Sequence, residues 1–221
     1  MRKSSCLVLV GFALILTAPC AHAISLADLI STNGSITVDG MDFSGFSLNV
    51  VLASNGAAPT SPSVIDVASV TINSEAGLRF TSNFTAPAPN GQLSLNISYT
   101  VNALSQGMVL SNMTLAGDPS GPVNSPSGGG EVFSTTSAGN TLLSRVGGPA
   151  QTHGVFQTSQ TSLVVNTRMD LAAGGAPGPV VPATFSFLNE TFSQTAIPEP
   201  NTLLLFLTGI LGLASAHRLR S

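Results

Sequence analysis

The sequence predicts an all-β protein, an antiparallel β-sandwich of the jelly-roll or immunoglobulin-like type. Short segments alternate apolar and polar residues with a period of two, turn-forming Gly, Pro, Asn and Asp separate them, and no amphipathic helix of useful length lies between them. The clearest segment is 93–103, whose apolar positions are Leu93, Leu95, Ile97, Tyr99 and Val101. We therefore expect sheets with one face in the core and one face in water.

The first part of this domain is predicted to be a short helical turn followed by a hairpin. Residues 25–30 favour one turn of helix. Asn33-Gly34 and Asp39-Gly40 are turn signals on either side of a strand at 35–38.

The next strand is predicted from a regular alternation that begins at Phe46. Its apolar positions are Phe46, Leu48, Val50 and Leu52, with Ser47 and Asn49 on the opposite face. This period of two predicts a half-buried strand.

Nine further segments predict strands at the spacing of a sandwich. They are 64–72, 78–84, 93–104, 108–115, 131–136, 142–146, 154–158, 163–171 and 184–192. In 163–171 the pattern predicts that Leu163, Val165 and Met169 face inward and that Asn166 and Arg168 face outward. Two stretches rich in Pro, Gly and small residues, 118–130 and 172–182, are predicted loops or linkers.

The first 23 residues have the three parts of a secretory signal peptide. Arg2 and Lys3 form a basic start, residues 7–16 form an apolar segment, and Ala21-His22-Ala23 is an A-x-A cleavage site before Ile24. The sequence therefore predicts an N-terminal signal helix and export through the inner membrane. Both cysteines of the chain, Cys6 and Cys20, lie within this segment, so the mature chain has none.

The C-terminal residues form a second predicted address signal, 196–221. Prolines 198 and 200 hold Glu199 on an extended, non-helical stalk. The apolar residues 203–216 predict a separate hydrophobic helix of roughly 21 Å, against a hydrocarbon core of about 30 Å. The basic end, 217–221, carries Arg218 and Arg220, which favour the cytoplasmic side. The helix is short for a permanent transmembrane span.

Pro198-Glu199-Pro200, the apolar segment 203–216 and the arginines at the end resemble the PEP-CTERM sorting signal of Gram-negative bacteria. The resemblance implies that exosortase, a membrane-embedded enzyme, recognises Pro198, Glu199 and Pro200 and cleaves near them. It also implies that segment 203–216 holds the chain in the inner membrane only transiently. The family occurs in organisms that produce exopolysaccharide, so the expected destination is the cell surface or the extracellular biofilm matrix.

The negative net charge of the passenger domain, residues 24–195, argues against nucleic acid as a partner. The domain has three arginines and nine carboxylates, a net charge of −6, and no lysine. Such a surface does not neutralise a phosphate backbone. Most of the nine acids lie near turn signals, which predicts that they are solvated.

Catalytic and metal chemistry are disfavoured by the residue inventory. Without cysteine or lysine, thiol and Schiff-base catalysis are excluded for residues 24–195, and the one histidine there, His153, is interpreted as a loop residue. A glycosidase is disfavoured because there is no tryptophan and a single tyrosine. Asp39 and Asp42 are weak candidate calcium ligands without the spacing of a calcium loop. No cofactor is expected.

Three hypotheses of different classes remain from the sequence. The first is a non-enzymatic exported surface or matrix protein, sorted by exosortase and associated with exopolysaccharide. The second is a carbohydrate-binding module of the same matrix. The third is an exported hydrolase, which requires a deep pocket lined by two of the nine acids.

Overall fold

The computed structural model describes residues 23–118, 129–145, 151–174, 181–197 and 208. Most of the predicted signal helix, most of the two predicted loops and the predicted C-terminal helix lie outside these residues. Within them, no helix is both long enough and apolar enough to span a bilayer.

The described chain consists of twelve strands, one short helix and one 3₁₀ turn. The elements are β1 (Ile24–Ser25), α1 (Leu26–Ser31), β2 (Ile36–Val38), β3 (Met41–Ser54), a 3₁₀ turn (Pro62–Val64), β4 (Asp66–Ile72), β5 (Glu75–Ala86), β6 (Gln92–Ala103), β7 (Met108–Gly117), β8 (Gly129–Thr136), β9 (Thr141–Arg145), β10 (Gln151–Gln160), β11 (Ser162–Ala172) and β12 (Ala183–Ala196).

These strands form two antiparallel six-stranded sheets, which confirms the predicted all-β sandwich. Sheet 1 has the order β1-β4-β5-β12-β7-β10, and sheet 2 has the order β2-β3-β6-β11-β8-β9. Each of the nine predicted later segments contains a strand. Because consecutive strands often belong to different sheets, the chain crosses repeatedly over the core.

Helix α1 begins and ends with side-chain and backbone caps. Ser25 accepts a hydrogen bond from the Asp28 amide at 3.1 Å and donates to the Asp28 carboxylate at 2.7 Å. At the other end, Asn33 has a φ of 48° and the Gly34 amide donates to the Leu29 carbonyl at 2.9 Å. This is a Schellman motif. The Asn33-Gly34 turn signal therefore ends a helix, whereas the sequence pattern alone suggests only the entrance to a hairpin.

The second turn signal joins two strands as predicted. Asp39 and Gly40 both have positive φ, 45° and 75°, and they connect Val38 to its partner Met41. Two central residues with positive φ are the requirement of a type I′ hairpin turn.

The predicted alternation of β3 holds only at its start. Phe46 is buried and Leu48 and Val50 are half-buried, but Leu52 is 44% exposed. The pairing of β3 with β6 shifts between Val50 and Leu52, as at a β-bulge. The prediction for Leu52 was wrong because an irregular residue changes which side chains face the core.

The core lies between the sheets and is centred on aromatic side chains. All five predicted inward residues of β6 are at most 1% exposed. The Tyr99 ring lies 6.0 Å from the rings of Phe43 and Phe80 and 5.8 Å from that of Phe46. Residues 163, 165 and 169 of β11 are also buried, as predicted. Both sheets therefore contribute to one core.

Gly77 of β5 packs directly against the backbone of β12. A Cβ atom at this position would overlap the carbonyl oxygen of Glu190 and would lie 2.6 Å from Cα of Thr191. Since these neighbours are backbone atoms, the clash is relieved only by separating the strands.

We expect Gly77→Ala to lower the free energy of unfolding by about 3 kcal/mol, the upper part of the range for overpacked sites. Gly129→Ala is the matched control, because Gly129 also lies in a strand but a Cβ atom added there would have no neighbour within 4 Å. Urea unfolding followed by circular dichroism measures both. Equal stabilities of the two variants would contradict the close approach.

Candidate functional site

A concavity of mixed chemistry lies on the outer face of sheet 2. We call it the sheet 2 groove; it has a volume of about 670 Å³ and is open to solvent. Its lining combines amides, hydroxyls, charged groups and one aromatic ring. The lining residues are Val51, Asn96, Glu131, Phe133, Thr135, Thr141, Asn166, Arg168 and Asp170.

Strand register brings these side chains together. Arg168 of β11 lies opposite Asn96 of β6 on one side and opposite Phe133 of β8 on the other. Two residues further along β11, Asp170 lies opposite Glu131. Side chains two residues apart in a strand share a face, so the groove extends over adjacent strands of one face.

Asp170 is held in place by two hydrogen bonds. Its Oδ1 accepts from the Ser94 hydroxyl at 2.5 Å, and its Oδ2 accepts from Arg168 Nε at 2.8 Å. The Arg168 side chain is 60% exposed, so this ion pair contributes at most about 1 kcal/mol to stability. Its main effect is to orient the guanidinium within the groove.

Phe133 supplies an aromatic surface that the sequence analysis missed. It is half-buried on the outer face, between the buried residues Val132 and Ser134. That alternation was the available signal, because it places Phe133 on the side of Glu131 and Thr135. An aromatic ring beside amides, hydroxyls and a guanidinium presents both the apolar and the hydrogen-bonding surface that a sugar ring requires.

Glu131 and Asp170 are two acids that share the groove, which the hydrolase hypothesis requires. The groove is not the deep pocket of that hypothesis, however, because it is open and both residues are only half-buried. The general acid of a glycosidase commonly lies against apolar surface that excludes water. The geometry of the groove therefore suits binding better than hydrolysis.

Searches of protein-family models and of curated proteins found no match to this chain.

His153 does not lie in a loop, and that prediction was wrong. It is an exposed residue of β10, paired with Thr114 of β7. Its Nδ1 lies 2.6 Å from the Thr114 hydroxyl, so the imidazole is hydrogen-bonded, as expected of a satisfied histidine. The error arose because the predicted strand 154–158 began too late, whereas β10 extends back to Gln151 and includes His153.

The weak calcium candidates Asp39 and Asp42 have hydrogen-bonding roles in the hairpin. Asp39 forms the turn and accepts from the Thr71 hydroxyl at 3.2 Å, while Asp42 accepts from the Thr37 hydroxyl at 3.4 Å. No group of three or more His, Cys, Asp or Glu side chains suited to a metal ion occurs in the described part of the chain.

The residues of the two address signals lie almost entirely outside the described ranges. Ala21, Pro198, Glu199 and Pro200 are not described, and Ala23 is exposed directly before β1. On the C-terminal side, the Ile197 amide donates to the Gly107 carbonyl at 2.6 Å. The hydrogen-bonded structure of the sandwich therefore extends to the residue before Pro198.

A buried acid, Glu190, is the main polar feature that the sequence analysis missed. Glu190 is 0% exposed, in contrast to the solvated position expected for most of the acids. The Tyr99 hydroxyl donates to Oε2 at 2.9 Å, and the Thr167 hydroxyl donates to Oε1 at 2.5 Å. The Ser134 hydroxyl lies 3.1 Å from that of Thr167 and so belongs to the same buried cluster. The signal in the sequence was its position midway between Leu188 and Phe192, both of which face the core.

The electrostatics of this cluster follow from its burial. Burial raises the pKa of Glu190 above its ordinary value, and the neighbouring hydroxyls of Thr167, Ser134 and Tyr99 partly oppose the rise. Burial also raises the pKa of Tyr99 well above its ordinary value, and the nearby Glu190 charge raises it further. Tyr99 is therefore a neutral donor at physiological pH.

Glu190→Gln should remove a pH-dependent part of the stability. Because the folded-state pKa of Glu190 is raised, its stabilising contribution is complete below the unfolded pKa of about 4.3 and is lost as the pH rises through the folded-state pKa. Relative to Glu190→Gln, the wild type should therefore lose free energy of unfolding progressively as the pH rises above about 4. Urea titrations measure this difference, and a difference that is constant with pH would contradict the assignment.

Glu190→Leu should destabilise the protein by about 2–4 kcal/mol, because it leaves the Tyr99 and Thr167 hydroxyls buried without their acceptor. Adding Tyr99→Phe should restore part of this loss, with a coupling energy of about 1 kcal/mol or more in a double-mutant cycle. Glu131→Leu, at a half-buried position on the outer face, is the control and should change stability by about 0.5 kcal/mol or less. Additive effects at Glu190 and Tyr99 would contradict a direct interaction.

Proposed function

We propose that the protein is a non-enzymatic exported surface or matrix protein, which exosortase sorts and which then associates with exopolysaccharide. The observation that carries the proposal is the position of the sandwich relative to the address signals. The strands extend from Ile24, next to the A-x-A site, to Ala196, two residues before Pro198. A folded passenger that begins and ends at the two processing signals is what a sorted cargo requires.

In this proposal the tail acts during export and the sandwich acts afterwards. The segment 203–216 holds the chain transiently in the inner membrane, and Pro198-Glu199-Pro200 is the recognition sequence for exosortase. The described β12 is hydrogen-bonded on both sides, to β5 and β7, so the sandwich does not depend on the tail for its last strand. Cleavage near residue 198 would therefore release an intact domain.

Replacing Glu199 with Ala in the native host should prevent C-terminal processing, because the residue that distinguishes the motif is lost. The intact mass of the protein should then include residues up to 221, and the protein should remain in the membrane fraction. Thr202→Ala is the control, since it lies outside the motif, and it should give the wild-type mass. A Glu199→Ala protein with the same processed mass as the wild type would contradict the sorting proposal.

The alternative function is that of a carbohydrate-binding module, and the sheet 2 groove favours it. The groove combines Phe133 with the oriented guanidinium of Arg168 and the amides of Asn96 and Asn166. Its volume lies within the range of roughly 300–1,000 Å³ found for ligand pockets. An open groove on a sheet also leaves room for a polymer to continue beyond both ends.

Phe133→Ala should weaken adsorption of the protein to insoluble polysaccharides by roughly fivefold or more, because it removes the apolar surface of the groove. Val155→Ala, an exposed apolar residue on sheet 1, is the matched control and should bind like the wild type. Depletion from solution over a panel of polysaccharides measures the affinity. Equal binding by wild type and Phe133→Ala would exclude the groove as the contact face.

The hydrolase hypothesis remains a distant alternative. Glu131 and Asp170 face each other across β8 and β11, so a glycosidase would have to use them as its carboxylate pair. Release of reducing ends by the wild type but not by Glu131→Gln would favour it over both binding hypotheses.

For the finer fold type, we propose a jelly-roll-like topology over an immunoglobulin-like one. It is supported by the frequent crossing of consecutive strands between the two sheets, as in β5 to β6 and β6 to β7.

A further inference from the structure

A second concavity lies on the outer face of sheet 1, and it is small and lined by both apolar and polar side chains. We call it the sheet 1 cleft; its volume is about 200 Å³. Thr114, Asn189 and Thr191 line it and are only 3%, 5% and 2% exposed, although they lie on the outer face of the sheet. Ile72 and Phe187 form its apolar sides. Polar side chains on an outer face are this deeply buried only where larger neighbours surround them.

Arg79 lies at the edge of the cleft in a fixed orientation. Its Nε donates to Asn189 Oδ1 at 2.8 Å, and its guanidinium carbon lies 5.2 Å from the centroid of the Phe187 ring. Both neighbours line the cleft. A guanidinium anchored through Nε and one planar face keeps its two terminal nitrogens for a further acceptor.

The charge of Arg79 is not neutralised by a carboxylate within the described chain. The ion pair found there joins Arg168 to Asp170, on the other sheet. The Nε partner of Arg79 is a neutral amide. Planar guanidinium groups bind carboxylates through two parallel hydrogen bonds, so an anchored, uncompensated arginine favours a carboxylate ligand.

The rest of the cleft favours a hydroxylated ligand over a simple anion. Glu75 accepts hydrogen bonds from Thr191 at 2.9 Å and from Ser193 at 3.0 Å, which brings acceptor oxygens towards the side of the cleft away from Arg79. The Thr191 hydroxyl, which donates to Glu75, can still accept a hydrogen bond. The ligand would therefore carry a carboxylate at one end and hydroxyl donors at the other.

Size and side-wall chemistry limit the ligand further. A volume of about 200 Å³ is below the range of roughly 300–1,000 Å³ for drug-sized ligands, so it fits one small ring. The apolar walls, Ile72 and Phe187, would contact the C–H face of such a ring.

We propose that the sheet 1 cleft binds one carboxylated sugar residue, a uronate, with its carboxylate on the terminal nitrogens of Arg79 and its hydroxyls on the Thr191 and Glu75 side. The residue is either a free uronate or a unit of an acidic polysaccharide, since both present the same carboxylate and ring. The cleft is separate from the sheet 2 groove and from the sorting signal. A failure of the cleft to bind uronate would therefore not contradict the proposed export and matrix function, and the reverse also holds.

Isothermal titration of the exported full chain with sodium glucuronate tests the proposal. Glucuronate should bind, while glucose, which lacks the carboxylate, and acetate, which lacks the ring, should each bind about tenfold more weakly or worse. Equal binding of glucuronate and glucose, or no binding of glucuronate, would overturn it. Polygalacturonate distinguishes the two sources: binding per site as tight as that of glucuronate indicates a polymer unit, and weaker binding indicates a free or terminal uronate.

Two substitutions separate the geometry of Arg79 from its charge. Arg79→Lys keeps the charge but loses the planar fork, and Arg79→Gln loses both, so each should weaken glucuronate binding by about tenfold or more. Arg145→Gln, which removes an arginine from β9 of sheet 2, is the matched control and should bind glucuronate like the wild type. Wild-type affinity in Arg79→Gln would contradict the proposal.

A measurement on the wild type covers the case in which these variants do not fold. Glucuronate should shift the NMR signals of Arg79 Nε–H and of the Asn189 side-chain amide, whereas glucose at the same concentration should leave them in place. Unchanged Arg79 signals at saturating glucuronate would equally overturn the assignment.

Discussion

The architecture depends on one buried interaction, the hydrogen bonding of the Glu190 carboxylate across the core. Glu190 belongs to β12 of sheet 1, whereas its donors Tyr99 and Thr167 belong to the adjacent strands β6 and β11 of sheet 2. Apolar side chains pack without strict directionality, but hydroxyl donors reach a carboxylate in few arrangements. The cluster therefore specifies how one sheet lies on the other, at the energetic cost of burying an acid.

Strand β12 transmits this constraint to the outer surface. Its inward residue Glu190 lies between Asn189 and Thr191, which face outward and line the sheet 1 cleft. Gly77 allows β5 to approach β12 closely at this point. Arg79 lies two residues after Gly77 on β5. The hydrogen bond from Arg79 to Asn189 is thus positioned by the packing that surrounds Glu190. The core and the cleft therefore lie on opposite faces of β12, a central strand of sheet 1.

The sequence was sufficient for the fold class and for the positions of most strands, because a period of two directly reports which side chains face the core. It failed where register or pairing decides the outcome. Leu52 is exposed because of a bulge, and His153 lies in a strand whose partner is distant in sequence. Neither the sheet 2 groove nor the sheet 1 cleft was predicted, since each joins residues of several strands. Glu190 and Phe133 were visible in the alternation, but a carboxylate in the core requires donors that only the folded chain brings together.

The sheet 1 cleft and the sheet 2 groove share one feature, an arginine beside an aromatic ring. The domain is strongly acidic, yet Arg79 and Arg168 lie on opposite sheets, each beside a half-buried phenylalanine, Phe187 or Phe133. A guanidinium next to an aromatic ring favours a ligand with both an acidic or hydroxylated edge and an apolar face. If both concavities bind sugar, one domain contacts two saccharide segments on opposite sides. Such a domain would bridge neighbouring polysaccharide chains by its shape alone, and a structural role in a matrix would need no catalytic step.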